Sequence, residues 1–297
     1  MRIVVTGSQG QVVQSLLERA QGRPDIDVAT VGRPVLDLAH SETVAPALEA
    51  ARPDLVVSAA AYTAVDQAED EPERAFAINA KGAGAVAEAA AALGVPVIHL
   101  STDYVFDGTK EGPYLEEDAP APKSVYGASK LAGEEAVAAA NPRHFILRTA
   151  WVYSPFGKNF VKTMLKLAET RDEVSVVADQ AGNPTSALDI ADGILAVVER
   201  QASHSGAFGC YHLAASGSAS WYDVARRVFE VSRACGGPTA EVRAITTAEF
   251  PTKAKRPHNS QLDSSRFVSN FGYCAPEWHQ STKAVIHRLI GNMGPSE

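Results

Sequence analysis

Cysteine is scarce in this chain. Cys210, Cys235 and Cys274 are widely spaced and odd in number among 297 residues. No disulfide framework and no metal knuckle follows from that spacing, and a reducing compartment fits it. Excess positive charge is also missing: 27 Lys and Arg stand against 35 Asp and Glu, for a net charge of -8 and a pI near 5.5. That balance argues against a nucleic-acid or anionic-membrane surface. No apolar run reaches membrane-spanning length, and Met1 to Gly7 reads as a strand entering a turn rather than a signal peptide. The expectation is a cytoplasmic protein without membrane or nucleic-acid partners. What remains is 45% hydrophobic and 21% charged, enough for one large domain or two unequal ones.

The apolar runs alternate between strand and helix. Strands are expected at 2–6, 26–31, 55–58, 97–101 and 144–149, with helices at 12–20, 41–51, 72–93 and 124–140 between them. Five such units predict an α/β fold with a doubly wound parallel sheet of Rossmann type. Beyond Thr149 the rhythm changes. An aromatic loop at 150–157 and shorter elements predict a smaller α/β C-terminal domain over 151–183 and 201–297. The first domain covers 1–150, rejoined by a helix near 184–200, and residues 201–207 serve as a linker.

Chemistry concentrates at the expected strand ends. Gly7-Ser8-Gln9-Gly10-Gln11 joins the first strand to a helix opening at Val12. Gly7 permits a tight turn there, and Gly10 lets the backbone approach a pyrophosphate at the helix N-terminus. Arg33 follows the second strand, where it either pairs with a 2′-phosphate or is solvated; Asp37 either reaches an adenine or caps a helix near Ser41. Ala59, Ala60 and Ala61 after the third strand leave room for a cofactor backbone, or simply pack tightly. Asn79 either bridges to a strand end or faces water. Ser101 and Thr102 end the fourth strand, where a hydroxyl serves a reacting carbonyl or merely satisfies the turn.

Tyr126 and Lys130 stand four residues apart on the helix expected from Ser124, hence on one face. An ammonium beside a phenol favours phenolate and lowers the tyrosine pKa from about 10. Such a pair can give a proton to an oxygen. The bland alternative packs Tyr126 and leaves Lys130 in water. Residues 253–260, the most basic stretch, form either a phosphate clamp or a solvated loop.

Together these motifs resemble the extended short-chain dehydrogenase/reductases, and within them the dTDP-4-dehydrorhamnose reductase family. The resemblance rests on Thr6 to Gln11, Ala59 to Asp66, Ser101 to Gly108 (Ser-Thr-Asp-Tyr-Val-Phe-Asp-Gly), Tyr126 to Lys130, Arg148 to Tyr153, Asp179-Gln180 with Gly182, Pro184-Thr185, and Arg256-Pro257. It implies NADPH as cofactor, NADH being the alternative, and hydride transfer to C4 of a dTDP-4-dehydro-6-deoxy-L-hexose to give dTDP-L-rhamnose. In that scheme Tyr126 is the acid, Lys130 tunes it and binds the nicotinamide ribose, and Thr102 bonds the reacting oxygen. Cofactor contacts are implied at Gly7, Gly10, Gln11, Val12, Arg33, Asp37, Leu38, Ala60, Ala61, Tyr62 and Lys130. The nucleotide-sugar pocket is implied to involve Thr102, Asp103, Tyr104, Trp151, Asn159, Phe160 and Arg256.

The chain departs from the family at two positions. Val13 replaces the usual third glycine, which predicts wider or rearranged helix–strand packing and bears on cofactor affinity. Ser15 stands where some members carry a glutamate that contributes to an Mg2+-bridged dimer. A homodimer stays open, a metal-dependent one does not follow, and no metal-ligating residue is assigned. The same residues also fit a reductase or epimerase of another nucleotide 4-ketosugar, or a cofactor-binding regulatory subunit.

Overall fold

Short β-branched runs form the strands of one parallel sheet. The computed structural model describes residues 1–203 and 207–291. The first half runs β1 (Arg2–Thr6), α1 (Gln11–Ala20), β2 (Asp27–Val31), α2 (Val44–Ala51), β3 (Leu55–Ser58), α3 (Val65–Ala68), α4 (Pro72–Phe76), α5 (Ala83–Ala92), β4 (Val97–Thr102), α6 (Val125–Ala140) and β5 (His144–Thr149). The second half runs β6 (Val152–Tyr153), α7 (Phe160–Ala168), β7 (Glu173–Val177), β8 (Ala181–Gly182), β9 (Thr185–Ser186), α8 (Ala187–Ser203), β10 (Gly209–His212), β11 (Ala219–Ser220), α9 (Trp221–Ala234), β12 (Glu241–Ile245), α10 (Ser265–Phe271) and α11 (Trp278–Gly291).

The large sheet has the order β10-β5-β4-β3-β1-β2, every neighbour parallel. Its order reverses beside β1, so the crevice between β1 and β3 is where such sheets take a ligand. Both faces are covered, as a parallel sheet requires. Ile3, Val5, Leu55, Val57 and Phe145 pack with Leu16 of α1, Ile190 and Ile194 of α8, and Phe267 of α10. Val4, Val56 and Val97 pack on the other face with Leu48 of α2, Val86 of α5 and Val137 of α6.

Two of these elements differ from expectation. β10 and α10 lie in the span assigned to the smaller domain, yet β10 extends the large sheet beside β5, and Phe267 and Phe271 enter its core. Their distance along the chain hid this. The expected linker also begins too early: residues 201–203 continue α8, while 204–206 lie outside the described residues. β7, α7, α9 and α11 build a separate core of Val161, Leu165, Val176, Val228, Phe229, Trp278 and Ile286. Among the described residues no helix is long and apolar enough to cross a membrane.

The helix expected over 72–93 is interrupted. Between α4 and α5, residues Ala77–Gly82 form a π turn, with Asn79 buried inside it. Such turns aim a side chain that a regular helix would leave elsewhere. Asn79 Nδ2 donates to Ser129 Oγ (2.9 Å) and to the Tyr62 carbonyl (3.0 Å), and Oδ1 accepts from Tyr62 N–H (2.7 Å). Asn79 therefore bridges a strand end and α6 rather than facing water.

Candidate active site

β1 delivers Thr6 and then Gly7, whose φ of +92° suits glycine alone. Thr6 Oγ1 accepts from Ala59 and Ala60 N–H, both at 3.0 Å, tying the ends of β1 and β3 across the crevice. A Cβ on Gly7 would stand 3.5 Å from that of Ala60. Gly10 caps α1 without a side-chain hydrogen bond, and the first turn holds no acid, so its amides face outward uncapped. Val12 sits in this first turn and packs against the core. Val13 is itself core, 2% exposed, with Cγ2 3.5 Å from the place of a Gly10 Cβ. Ser15 is fully buried, its hydroxyl unpartnered, so this position presents nothing at the surface.

Arg33 is exposed after β2. Asp37 Oδ1 accepts from Ala39 N–H (3.0 Å) in a tight turn, and does not cap the helical turn that opens at Ser41. The Leu38 side chain is core, and a Cβ on Gly82 would come within 2.5 Å of its carbonyl, so only its backbone can meet a ligand. Ala61 and Tyr62 continue from β3; the Tyr62 hydroxyl meets Glu71 at 3.2 Å, and Arg74 lies over its ring.

β4 ends at Thr102, and α6 brings Tyr126 and Lys130 alongside it. Ser124 caps α6 by accepting from Gly127 N–H at 3.1 Å. Two glycines let this helix lie close. A Cβ on Gly127 would fall 2.2 Å from the Tyr104 carbonyl oxygen, and one on Gly133 2.1 Å from that of Asn79. The glycine after Tyr126 is thus what seats the phenol beside Thr102. Tyr104 meets Tyr126 edge to face, ring centroids 5.5 Å apart.

The electrostatics correct one expectation. Burial pushes the Tyr126 phenol up, partly opposed by its hydrogen bond with Thr102, while Asp103 and Tyr104 push it further up. Lys130 does not offset this here. Its Nζ donates to the Leu100 carbonyl (2.7 Å) and meets His99 Nε2 (3.3 Å), and burial lowers it to about 8 against the opposing pull of Glu134. Helical spacing placed both groups on one face, but the lysine stem turns toward the sheet.

Both β4 hydroxyls are engaged. Ser101 donates to Glu134, which also takes Arg148 Nε (3.0 Å) and Nη2 (2.7 Å) in a buried pair. Thr102 Oγ1 donates to Asp103 Oδ1 (2.9 Å) and accepts from Tyr104 N–H (3.3 Å). Asp103 is 2% exposed, and its Oδ2 has no partner. Burial raises its carboxyl to about 6, partly offset by the nearby hydroxyls of Ser260 and Thr102.

Three residues expected at ligands are occupied otherwise. Gln11 Oε1 accepts from Ser154 Oγ (2.8 Å) and Asn159 Nδ2 (2.9 Å), joining the glycine turn to the second half of the chain. Asn159 also caps α7, accepting from Lys162 N–H at 3.1 Å. Arg256 is neither a free clamp nor solvated: it pairs with Asp66 and donates to Tyr104 Oη (2.9 Å), while Lys253 pairs with Asp70. The acidic 66–70 stretch holds the basic loop down.

Trp151 stacks on Trp221 with centroids 3.7 Å apart and planes at 3°, and Phe160 leans on Trp221 at 4.7 Å. Trp151 Nε1 donates to Ser260 Oγ (3.0 Å), and a Cβ on Gly182 would come within 2.4 Å of the Trp151 ring. Nothing local in the sequence marks Trp221 or His99 as a site residue; Gly182 lies in the resembling 179–185 stretch and Ser260 in the basic 253–260 stretch, neither with a role of its own there. A cavity of about 360 Å3, lined by Asn183, Gln261 and Ser264 among others, contains none of Thr102, Tyr126 and Lys130. We place the site by its chemistry, at the strand ends. Among the described residues no cluster of His, Cys, Asp or Glu is arranged to hold a metal.

The chain resembles known proteins over almost its whole length. A dTDP-4-dehydrorhamnose reductase of Sinorhizobium fredii is 54% identical over 292 residues, 98% of each chain. A crystal structure of a dTDP-4-dehydrorhamnose reductase from Clostridium acetobutylicum superposes with a TM-score of 0.91 at 38% identity, covering 97% of this chain and 99% of that one. The Bacillus anthracis counterpart, solved in complex with NADP, gives 0.90 at 35% identity over the same shares. The family model described as RmlD substrate binding domain matches residues 1–290, and the chain belongs to that family.

Proposed function

We propose that the chain reduces the C4 ketone of dTDP-4-dehydro-6-deoxy-L-mannose to dTDP-L-rhamnose with NADPH. One observation carries the chemistry: Thr102 at the end of β4 hydrogen-bonds Tyr126 of α6, with Lys130 one turn along, at the same edge of the parallel sheet where β1 leads into the uncapped α1. The residues fit a dinucleotide. Gly7 and Gly10 leave room for a pyrophosphate, the α1 amides receive its charge, and exposed Arg33 suits a 2′-phosphate better than a bare ribose. When bound, the reduced nicotinamide supplies the hydride for C4.

The protein's own groups do the rest. Thr102 Oγ1 turns from Asp103 to donate to the ketone oxygen and stabilises its developing charge. Tyr126, kept protonated by burial, donates its proton to the alkoxide. Lys130, held by His99 and Leu100, supplies a donor for the cofactor ribose. The unpartnered Oδ2 of Asp103 accepts from a sugar hydroxyl beside the reacting carbon. Arg256 exchanges Asp66 for the diphosphate, and the Trp151–Trp221–Phe160 cluster walls the pocket. We assign the dinucleotide to the large-sheet unit and the sugar nucleotide to the smaller core carried by α7, α9 and α11.

The test is NADPH oxidation with dTDP-4-dehydrorhamnose, with NADH alongside. Turnover with formation of dTDP-L-rhamnose is expected, and Tyr126→Phe should lower it by a hundredfold or so. No turnover by the wild type, or an unimpaired Tyr126→Phe, refutes the assignment.

A further inference from the structure

Lys130 has three ammonium protons and two protein acceptors. One acceptor is the Leu100 carbonyl. The other is the ring of His99, on the strand beneath, at 3.3 Å from Nζ. His99 stands directly across from Ser58 in the β3–β4 register, and its Nδ1 lies 3.1 Å from Ser58 Oγ. Ser58, His99 and Lys130 are 1%, 1% and 2% exposed, so no water competes for these bonds. Gly133 of α6 lies over the ring, the place of its Cβ 3.6 Å from Nε2, an ordinary packing distance.

An ammonium can only donate, so Nε2 must be bare, and the ring proton sits on Nδ1, directed to Ser58. We propose that His99 is a positioning residue: a permanently neutral acceptor, its tautomer set by Ser58, that keeps Lys130 charged and aims its third proton at the ligand. Building on the reductase assignment, this makes the buried strand residue part of what prepares the site.

The charges facing the pair are few. Burial and the adjoining ammonium both oppose a proton on His99. Lys130 feels Glu134 one turn along α6 as its one opposing charge, while β3 contributes neutral Ser58 and the π turn neutral Asn79. An acceptor on Nζ stabilises its charged form, so losing it lowers the lysine pKa further.

The experiment compares full-length wild type, His99→Leu, His99→Gln and Ser58→Ala. In His99→Leu, kcat should fall tenfold or so, KM for the sugar nucleotide should stay within about twofold, and the alkaline limb of the kcat profile should move down by roughly half a unit or more. His99→Gln, whose amide oxygen can accept from Nζ, should restore the limb. Ser58→Ala should lower kcat several-fold. An unmoved limb in His99→Leu, or no rescue by glutamine, overturns the proposal; if the leucine variant does not fold, an unchanged Ser58→Ala does so. Imidazole 15N spectra of the ligand-free wild type give a readout independent of the reaction. They should show His99 with the proton on Nδ1 and no titration from pH 5.5 to 7.5, below the Lys130 pKa of about 8, whereas an Nε2–H tautomer or protonation near 6.5 overturns the assignment. Failure of the reductase assignment would leave those spectra unchanged and appear only as absent wild-type turnover.

Discussion

Removing the carboxylate of Glu134 should be among the most damaging single changes outside the reacting groups. Glu134 and Arg148 are each 5% exposed, and Glu134 accepts two nitrogens of Arg148 together with the Ser101 hydroxyl. Arg148 already has Nη1 unpartnered, with its guanidinium 5.0 Å above the Phe106 ring. In Glu134→Ala the guanidinium would be buried without a counter-charge. Breaking such a pair costs about 3–5 kcal/mol, and the orphaned Ser101 hydroxyl adds about 1 kcal/mol. For a chain of this length that corresponds to a fall in Tm of roughly 10 °C or more. Glu134→Leu combined with Arg148→Met should recover most of the loss, since neither charge is then stranded and the methionine keeps packing against Phe106. Thermal and urea unfolding of Glu134→Ala, of Glu134→Leu and Arg148→Met singly, and of the double variant measure this directly. Glu134→Ala within 1 kcal/mol of wild type, or a double variant no better than the sum of the singles, would refute it. A second signature is kinetic: Glu134 raises the Lys130 pKa, so its loss should move the alkaline limb of kcat to lower pH.

Gly127→Ala must push α6 off the Tyr104 carbonyl, so kcat should fall tenfold or more with the chain still folded by circular dichroism; wild-type kcat would contradict the tight seating. Trp221→Ala removes the ring under Trp151 and beside Phe160, and KM for the sugar nucleotide should rise several-fold while NADPH affinity, read by fluorescence titration, holds. Asp103 carries a raised carboxyl pKa of about 6, so its contribution to stability is fully present below its ordinary value of 3.8 and is lost as pH rises through 6. Urea unfolding at pH 4.5 and 7.5 should show wild type losing stability relative to Asp103→Asn across that interval; parallel behaviour would place the proton elsewhere.

Repeating βα units made the sheet legible, since a parallel strand buried on both faces must read as a β-branched run and each crossover as an amphipathic helix. The placing of Tyr126 and Lys130 on one helix was legible because a spacing of four residues fixes relative position. Side-chain direction was not: Lys130 turns to His99 and Leu100, groups from a strand some thirty residues earlier whose register no local pattern announces. β10 escaped for the same reason, as its partner β5 lies some sixty residues away. Gln11, Asn159 and Arg256 had the right chemistry for ligands, yet protein partners take them up, and only the tertiary structure shows that Asp66 holds the arginine. Gly127, Gly133 and Gly182 look interchangeable with any small residue in sequence; each is a point where another segment passes too close for a methyl group.

The junction of Gln11 with Ser154 and Asn159 limits how this chain can be recombined. One amide oxygen serves the hydroxyl of the aromatic loop and the residue that caps α7, from the first helical position after the glycine turn. A chimera crossing over near residue 150 would inherit the turn from one parent and the cap from the other. Unless both parents carry matching partners, the mismatch frays the start of α7 and slackens the glycine turn at the same time. Exchanging the turn to alter cofactor choice would meet the same coupling, so the glutamine, serine and asparagine are best transplanted as a set.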